Sequence, residues 1–282
     1  MYLVIGATGN IGGPVARQLH QQGHEVRALV RDPARAAGLP EGIERALGDL
    51  DDPQSVAKAV QDVEAIFLMQ VGGGTEQTET VIDAARHTRA PRIVLLSSVG
   101  ARLMPLESNP IGAALAARER ILRESGLGVT YLRPNTFASN AFWWLDGIRA
   151  GKVVDATGEG RHGVIDPEDI ARVAVVTLTE AGHEGKGYFL TGPEALTSRE
   201  QVEIIAEVTG RPIEFEDLTP QEFTKVTVRN GTPPEQAYLR ERLNDLLRAG
   251  RAGFVTDDVQ NLTGFAPGTF RAWCERNVDA LR

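Results

Sequence analysis

Four apolar residues, YLVI, run straight into GATGNIGG, which then passes into the amphipathic segment PVARQLHQQ. No other stretch constrains the fold as tightly. Gly6, Gly9 and Gly12 stand three apart at what reads as a strand-to-helix junction. A turn that sharp needs residues without a Cβ, and it brings backbone N–H groups to a helix N-terminus whose dipole favours negative charge. The spacing predicts a dinucleotide site in which Gly6, Thr8, Gly9, Asn10, Ile11 and Gly12 hold the cofactor, Gly12 also letting the helix approach the strand. A close-packed turn with no ligand is the bland alternative for a glycine triplet. The absence of Gly-Lys-Ser/Thr at this junction excludes a nucleoside-triphosphate P-loop.

The context strengthens the nucleotide reading. YLVI, EVRALV, AIFLM, RIVLLSS and GVTYLRP are continuous apolar runs, and helical patterns separate them. Runs of that kind are buried on both faces, so the expected fold is α/β: a Rossmann-type doubly wound parallel sheet covered by helices. After Pro134 the alternation loosens and aromatics gather in NTFASNAFWWL. The chain therefore divides into a nucleotide-binding region over 1–155 and a smaller C-terminal α+β substrate lobe over 156–282, some of whose segments return to the sheet. In that lobe Ser198 with Gln201 and Thr219 with Glu222 read as capping boxes, while Asp166 and Asp169 read as caps of the helix that follows.

An acidic residue about 20 positions beyond the glycines suits the ribose 2′-hydroxyl of NAD, whereas an arginine suits the 2′-phosphate of NADP. Arg31 closes the second apolar run at about that distance and Arg35 adds charge nearby, which favours NADPH. NADH is the less favoured alternative, since Asp32 stands ready for the acidic role.

A formal net charge of -8, with the basic residues scattered, argues against nucleic acid as a partner. One cysteine, Cys274, excludes an internal disulfide, and the five histidines show no ligand spacing, so no metal site is expected. Cys274 reads as a packed thiol, and His162 as a surface or packing residue in a turn. No apolar run approaches the roughly 18 residues of a membrane span, and no export signal opens the chain. The expectation is a cytoplasmic protein, monomeric or homodimeric, acting on a small molecule.

The stretches IGATGNIGGPVARQL, VRD, GDLDD, ILRESGLGVTYLRPNTFASN, DPEDIA and YFLTGPEALTSREQV cover most of the sequence. Taken together, they resemble the NmrA-like branch of the atypical short-chain dehydrogenase/reductases. That resemblance implies NADP(H) bound across the strand ends, with a small lobe closing over the nicotinamide. It assigns Asp49 and Leu50 to the adenine end, although Asp49 reads equally as a loop carboxylate or helix cap. It assigns Leu68, Met69, Gln70 and Ser97 to the ribose and nicotinamide, and Asn135, Phe137 and Asn140 to the segment beside the nicotinamide. Phe142, Trp143 and Trp144 offer an apolar wall for a flat substrate, or else anchor the C-terminal lobe.

One departure bears on chemistry. The wider superfamily uses a Tyr-x-x-x-Lys pair as a proton relay, and the matching positions here are Ile111 and Leu115. Residues 97–123 contain neither tyrosine nor lysine. The expected activity is therefore NADPH-dependent hydride transfer to a flat, electron-poor acceptor of quinone or imine type. The alternative is a non-catalytic NADP(H) sensor with a regulatory protein partner.

Overall fold

The computed structural model describes residues 1–70, 72, 74–89, 91–103 and 105–282. Its strands, in chain order, are β1 (Tyr2–Ile5), β2 (Val26–Val30), β3 (Glu44–Leu47), β4 (Ala65–Leu68), β5 (Arg92–Leu96), β6 (Val129–Pro134), β7 (Lys152–Asp155), β8 (Arg161–Gly163), β9 (Gly187–Leu190), β10 (Ala195–Thr197) and β11 (Glu214–Asp217). Seven of them form one sheet in the order β3-β2-β1-β4-β5-β6-β9, every neighbouring pair parallel. The Rossmann-type doubly wound sheet read from the sequence is the fold observed.

The continuous apolar runs are explained by the two-residue period of a strand. Tyr2 and Val4 of β1 face a core formed with Val15 and Leu19 of helix Gly12–Gln21 and Ile170 and Ala174 of helix Pro167–Thr179. Leu3 and Ile5 face the opposite core, with Val56, Val81 and Leu122 from helices Pro53–Ala59, Glu76–Arg86 and Pro110–Glu124. Both faces are dry, so neither set of positions tolerates a polar side chain.

The strand order reverses between β1 and β4, and ligands of such sheets bind at the carboxyl ends beside that reversal. Gly6 leaves β1 there and Met69 leaves β4; a Cβ on Gly6 would stand 3.2 Å from the Met69 sulfur. Gly6 has φ +83°, a conformation that glycine adopts without strain.

Beyond β6 a third apolar core gathers Ala138, Ile148, Val153, Val202, Phe270 and Trp273. Two small sheets flank it, β8 with β10 antiparallel and β7 with β11 parallel. Between the segments of this lobe, helix Pro167–Thr179 and β9 return to the main sheet. The lobe is thus interleaved with the sheet in sequence.

Helix Ser198–Thr209 starts one residue earlier than the capping pattern suggested. Thr197 is its N-cap and Glu200 completes the box, in place of Ser198 and Gln201. Both threonine and serine can cap; the register is set by Glu200, which also takes a two-pronged ion pair from Arg161. The box at Thr219 and Glu222 forms as read. Asp166 caps helix Pro167–Thr179, whereas the Asp169 carboxylate accepts from the backbone N–H of Gly268 at 2.7 Å and pairs with Arg172.

Candidate active site

Three cavities meet at the glycine turn. The first, about 590 Å³, runs along Thr8, Gly9, Asn10 and Gly13. The turn that shapes it is tight: the Gly9 N–H donates to the Gly6 carbonyl at 2.9 Å and the Gly13 N–H to the Gly9 carbonyl at 3.0 Å. Gly12 lies behind, where a Cβ would stand 2.6 Å from the Gly6 carbonyl carbon, so its role is to let the helix sit against the turn.

The second cavity, about 390 Å³, is lined by Gly6, Arg31, Asp49 and Leu50, and shares Thr8 and Arg35 with the first. Arg31 is mostly exposed and reaches to 4.0 Å from Asp49. Asp32 is engaged otherwise: its carboxylate accepts the Ala34 N–H at 2.9 Å and caps the short helix Pro33–Ala36. Arg31 and Arg35 line the cleft together with Asp32, whose carboxylate is partly used by that cap.

The third cavity, about 480 Å³, shares Asn10 and Ser139 with the first and Met69 with the second. Ile11, Val99, Ile111, Phe137, Asn140 and Trp143 also line it. The three form a continuous channel from the Arg31 end, past the glycine turn, into a mainly apolar chamber under the C-terminal lobe. Its first two parts carry the groups a dinucleotide would need, backbone N–H groups for the phosphates and arginines at the far end.

The structure separates the remaining predicted residues. Asn135 lines the chamber with its amide held from both ends, one N–H donating to the Ala252 carbonyl at 2.9 Å and the oxygen accepting the Thr136 N–H at 2.8 Å. Leu68, the last residue of β4, is wholly buried in the core on one face of the sheet. Gln70 accepts from the Thr78 hydroxyl and donates to the Gly74 carbonyl, which ties down the exit from β4. Ser97 turns into the interior, where its hydroxyl donates to Glu119 at 2.7 Å; its neighbour Ser98 lines the chamber instead. Glu119 is buried and takes two further hydrogen bonds from Arg133, each 2.8 Å. Of the aromatics, Trp143 and Trp144 line the chamber, while Phe142 lines the glycine-turn cavity and packs on Trp273 with ring centroids 5.1 Å apart.

Sequence reading missed two features here. Arg118 donates to the carbonyls of Gln70, Gly72 and Gly74 and so clamps the segment behind β4; an arginine within an otherwise alanine-rich helical face was its only signal. His162 sits in strand β8, not in a turn, and is 3% exposed on the chamber wall. Neither of its ring nitrogens has a hydrogen-bond partner among the described residues. Burial pushes its pKa down to about 4, against an opposing pull from the Asp155 carboxylate.

A family model described as NAD(P)H-binding matches residues 6–181. A (4-alkanoyl-5-oxo-2,5-dihydrofuran-3-yl)methyl phosphate reductase of Streptomyces griseus is 36% identical over 100% of this chain and 99% of its own length. An NAD(P)H azoreductase of Xenophilus azovorans is 31% identical, again over 100% of this chain and 99% of its own. Among solved structures, the NADPH complex of an Escherichia coli NADPH-dependent quinone oxidoreductase superposes with a TM-score of 0.87 at 25% identity, covering 100% of this chain and 99% of that one. A triphenylmethane reductase of Citrobacter, complexed with NADP(H), shares the fold with a TM-score of 0.86, 24% identity and 100% coverage of both chains. With a matched span across the glycine turn and the main sheet, and full-length relatives that are reductases, this chain belongs to the NAD(P)H-binding family and is an oxidoreductase of it.

Proposed function

We propose that the chain is an NADPH-dependent reductase of flat, electron-poor small molecules. One observation carries the reading: the channel past the glycine turn opens into a chamber of about 480 Å³ whose wall beside Asn10 is built from Ile11, Met69, Val99, Ile111 and Phe137. The ionisable residues lining that chamber, Asp155, His162 and Arg240, all lie beyond β6 in the chain. Ile111, at the position where the wider superfamily keeps its tyrosine, is on the wall.

NADPH, when bound, supplies the hydride. Asn10 and Ile11, whose N–H groups the turn's own hydrogen bonds do not use among the described residues, offer the backbone for its phosphates, and Arg31 with Arg35 offers charge to a 2′-phosphate. The chamber residues orient a flat ring and exclude water, a legitimate share of catalysis for an acceptor that needs no enzymic proton. A quinone leaves the hydride step as a delocalised phenolate that solvent protonates, and an iminium or cationic dye is simply neutralised. The Streptomyces relative supports the class, since the compound in its name is an acyl-substituted unsaturated lactone, also electron-poor.

The test is initial-rate oxidation of NADPH and NADH with a naphthoquinone, an azo dye and a cationic dye. Turnover of at least one acceptor is expected, with kcat/KM about tenfold higher for NADPH. Arg31→Ala should raise the NADPH KM about tenfold and move the NADH value less than about twofold, as loss of a charge-assisted phosphate contact predicts. NADPH binding without turnover of any acceptor would overturn the reductase reading in favour of a nucleotide sensor.

A further inference from the structure

We infer that the chamber contains an oxyanion subsite centred on Arg240, so that the acceptor it is shaped for carries a phosphate monoester or carboxylate arm. The inference rests on the chamber being the substrate site proposed above. Arg240 lies in helix Pro234–Arg248 and lines the same chamber as Asn10, Met69 and Phe137. Its guanidinium lies over the Trp143 ring, 5.0 Å from the centroid, and 5.9 Å from that of Phe223.

A cation–π contact of this kind holds the guanidinium against the ring without accepting its N–H donors. Among the described residues no side chain or carbonyl accepts a hydrogen bond from Arg240, and no carboxylate lies within ion-pair distance of it. Two nearby arginines of the lobe are committed by contrast: Arg248 to Asp217 and Arg161 to Glu200. Burial disfavours the charged form of Arg240, the cost expected when a cation is partly dried without a partner.

The nearest competitor for that charge is already engaged. Asp155 attracts Arg240 from a distance, but its carboxylate accepts from the N–H groups of Ala156 and Thr157, the Thr157 hydroxyl and the Trp144 indole, at 2.7–3.1 Å. Asn244 follows one helical turn after Arg240 and faces the same chamber. A planar fork of free donors beside an amide, dried by two aromatic rings, is suited to a two-oxygen anion and has nothing comparable to offer a neutral group. The aromatic wall takes the flat ring, and the arm reaches the fork.

The test is equilibrium binding by calorimetry, with NADP⁺ saturating so that the cofactor's own phosphate cradle is filled. The probes are 1-naphthyl phosphate, 1-naphthoate and neutral 1-naphthol. The wild-type protein should bind at least one anion about tenfold or more tightly than naphthol, and whichever anion wins identifies the arm. Arg240→Gln should bring anion and naphthol to within about twofold of each other, while Arg240→Lys, a charge without the fork, should keep a reduced preference. Equal binding of all three probes by the wild type, or a preference that survives in Arg240→Gln, would overturn the inference. Should Arg240→Gln fail to fold, the Lys variant and the wild-type ranking decide it alone. Because nothing turns over in this assay, an absent reductase activity and an absent anion site are told apart.

Discussion

His162 gives a sharp acid-stability prediction. Its ring is dry, both nitrogens lack partners, and its pKa falls to about 4 in the folded chain against about 6.5 unfolded. Between those values the unfolded chain binds a proton that the folded chain refuses, so stability is complete above pH 6.5 and drains away as pH falls toward 4. Across the interval from pH 7 to pH 4.5 the loss from this group is about 2 kcal/mol. Carboxylates also titrate there, so the measurement must be a difference: urea unfolding of the wild type and His162→Leu at both pH values. The wild type should lose about 2 kcal/mol more than the variant over that interval. Near pH 7 the variant should be close to neutral, since leucine removes two orphaned polar atoms at a modest change of volume. Parallel pH dependences in the two proteins, or an imidazole that titrates near 6.5 by NMR, would refute the reasoning.

Three further outcomes follow from geometry. Gly12→Ala drives a Cβ into the Gly6 backbone, which cannot yield as a flexible side chain can; a loss of about 2 kcal/mol or more in unfolding free energy is expected, with weakened NADPH binding by calorimetry. Glu119→Gln leaves the buried Arg133 guanidinium without its counter-charge, and should cost about 3 kcal/mol or more by urea denaturation; a loss under about 1 kcal/mol would show that water reaches the pair. Cys274 is wholly buried and its thiol pKa is pushed up to about 12, so the native protein should resist a disulfide-exchange reagent at pH 8 and react only once unfolded; rapid native labelling would contradict that burial.

Much of the architecture was legible because its causes are local. A strand buried on both faces must be apolar at every position, and so β1, β4 and β5 announced themselves in the sequence. The glycine turn was equally plain, since the positive φ of Gly6 and the close approach of Gly12 to the Gly6 backbone are both local demands. Legibility failed by single residues where two neighbours are chemically interchangeable. Ser97 and Ser98 are both hydroxyls at a strand end; whether the first or the second faces the chamber depends on Glu119, 22 residues on, which captures the first. Thr197 and Ser198 both cap helices, and the choice was made by the ion pair of Glu200 with Arg161.

Sequence alone determined the parallel sheet, the crossover helices and the glycine turn between β1 and its helix, because strand period, helix period and the steric need for glycine act over a few residues. The chamber was decided by tertiary structure alone. His162 read in sequence as a surface or packing residue in a turn and Arg240 carried no signal there; both acquired their environment only when β8 paired with β10 and helix Pro234–Arg248 docked over Trp143 and Phe223. Desolvation and the absence of a partner depend on everything that surrounds a group, so segments far apart in the chain must meet before either property exists.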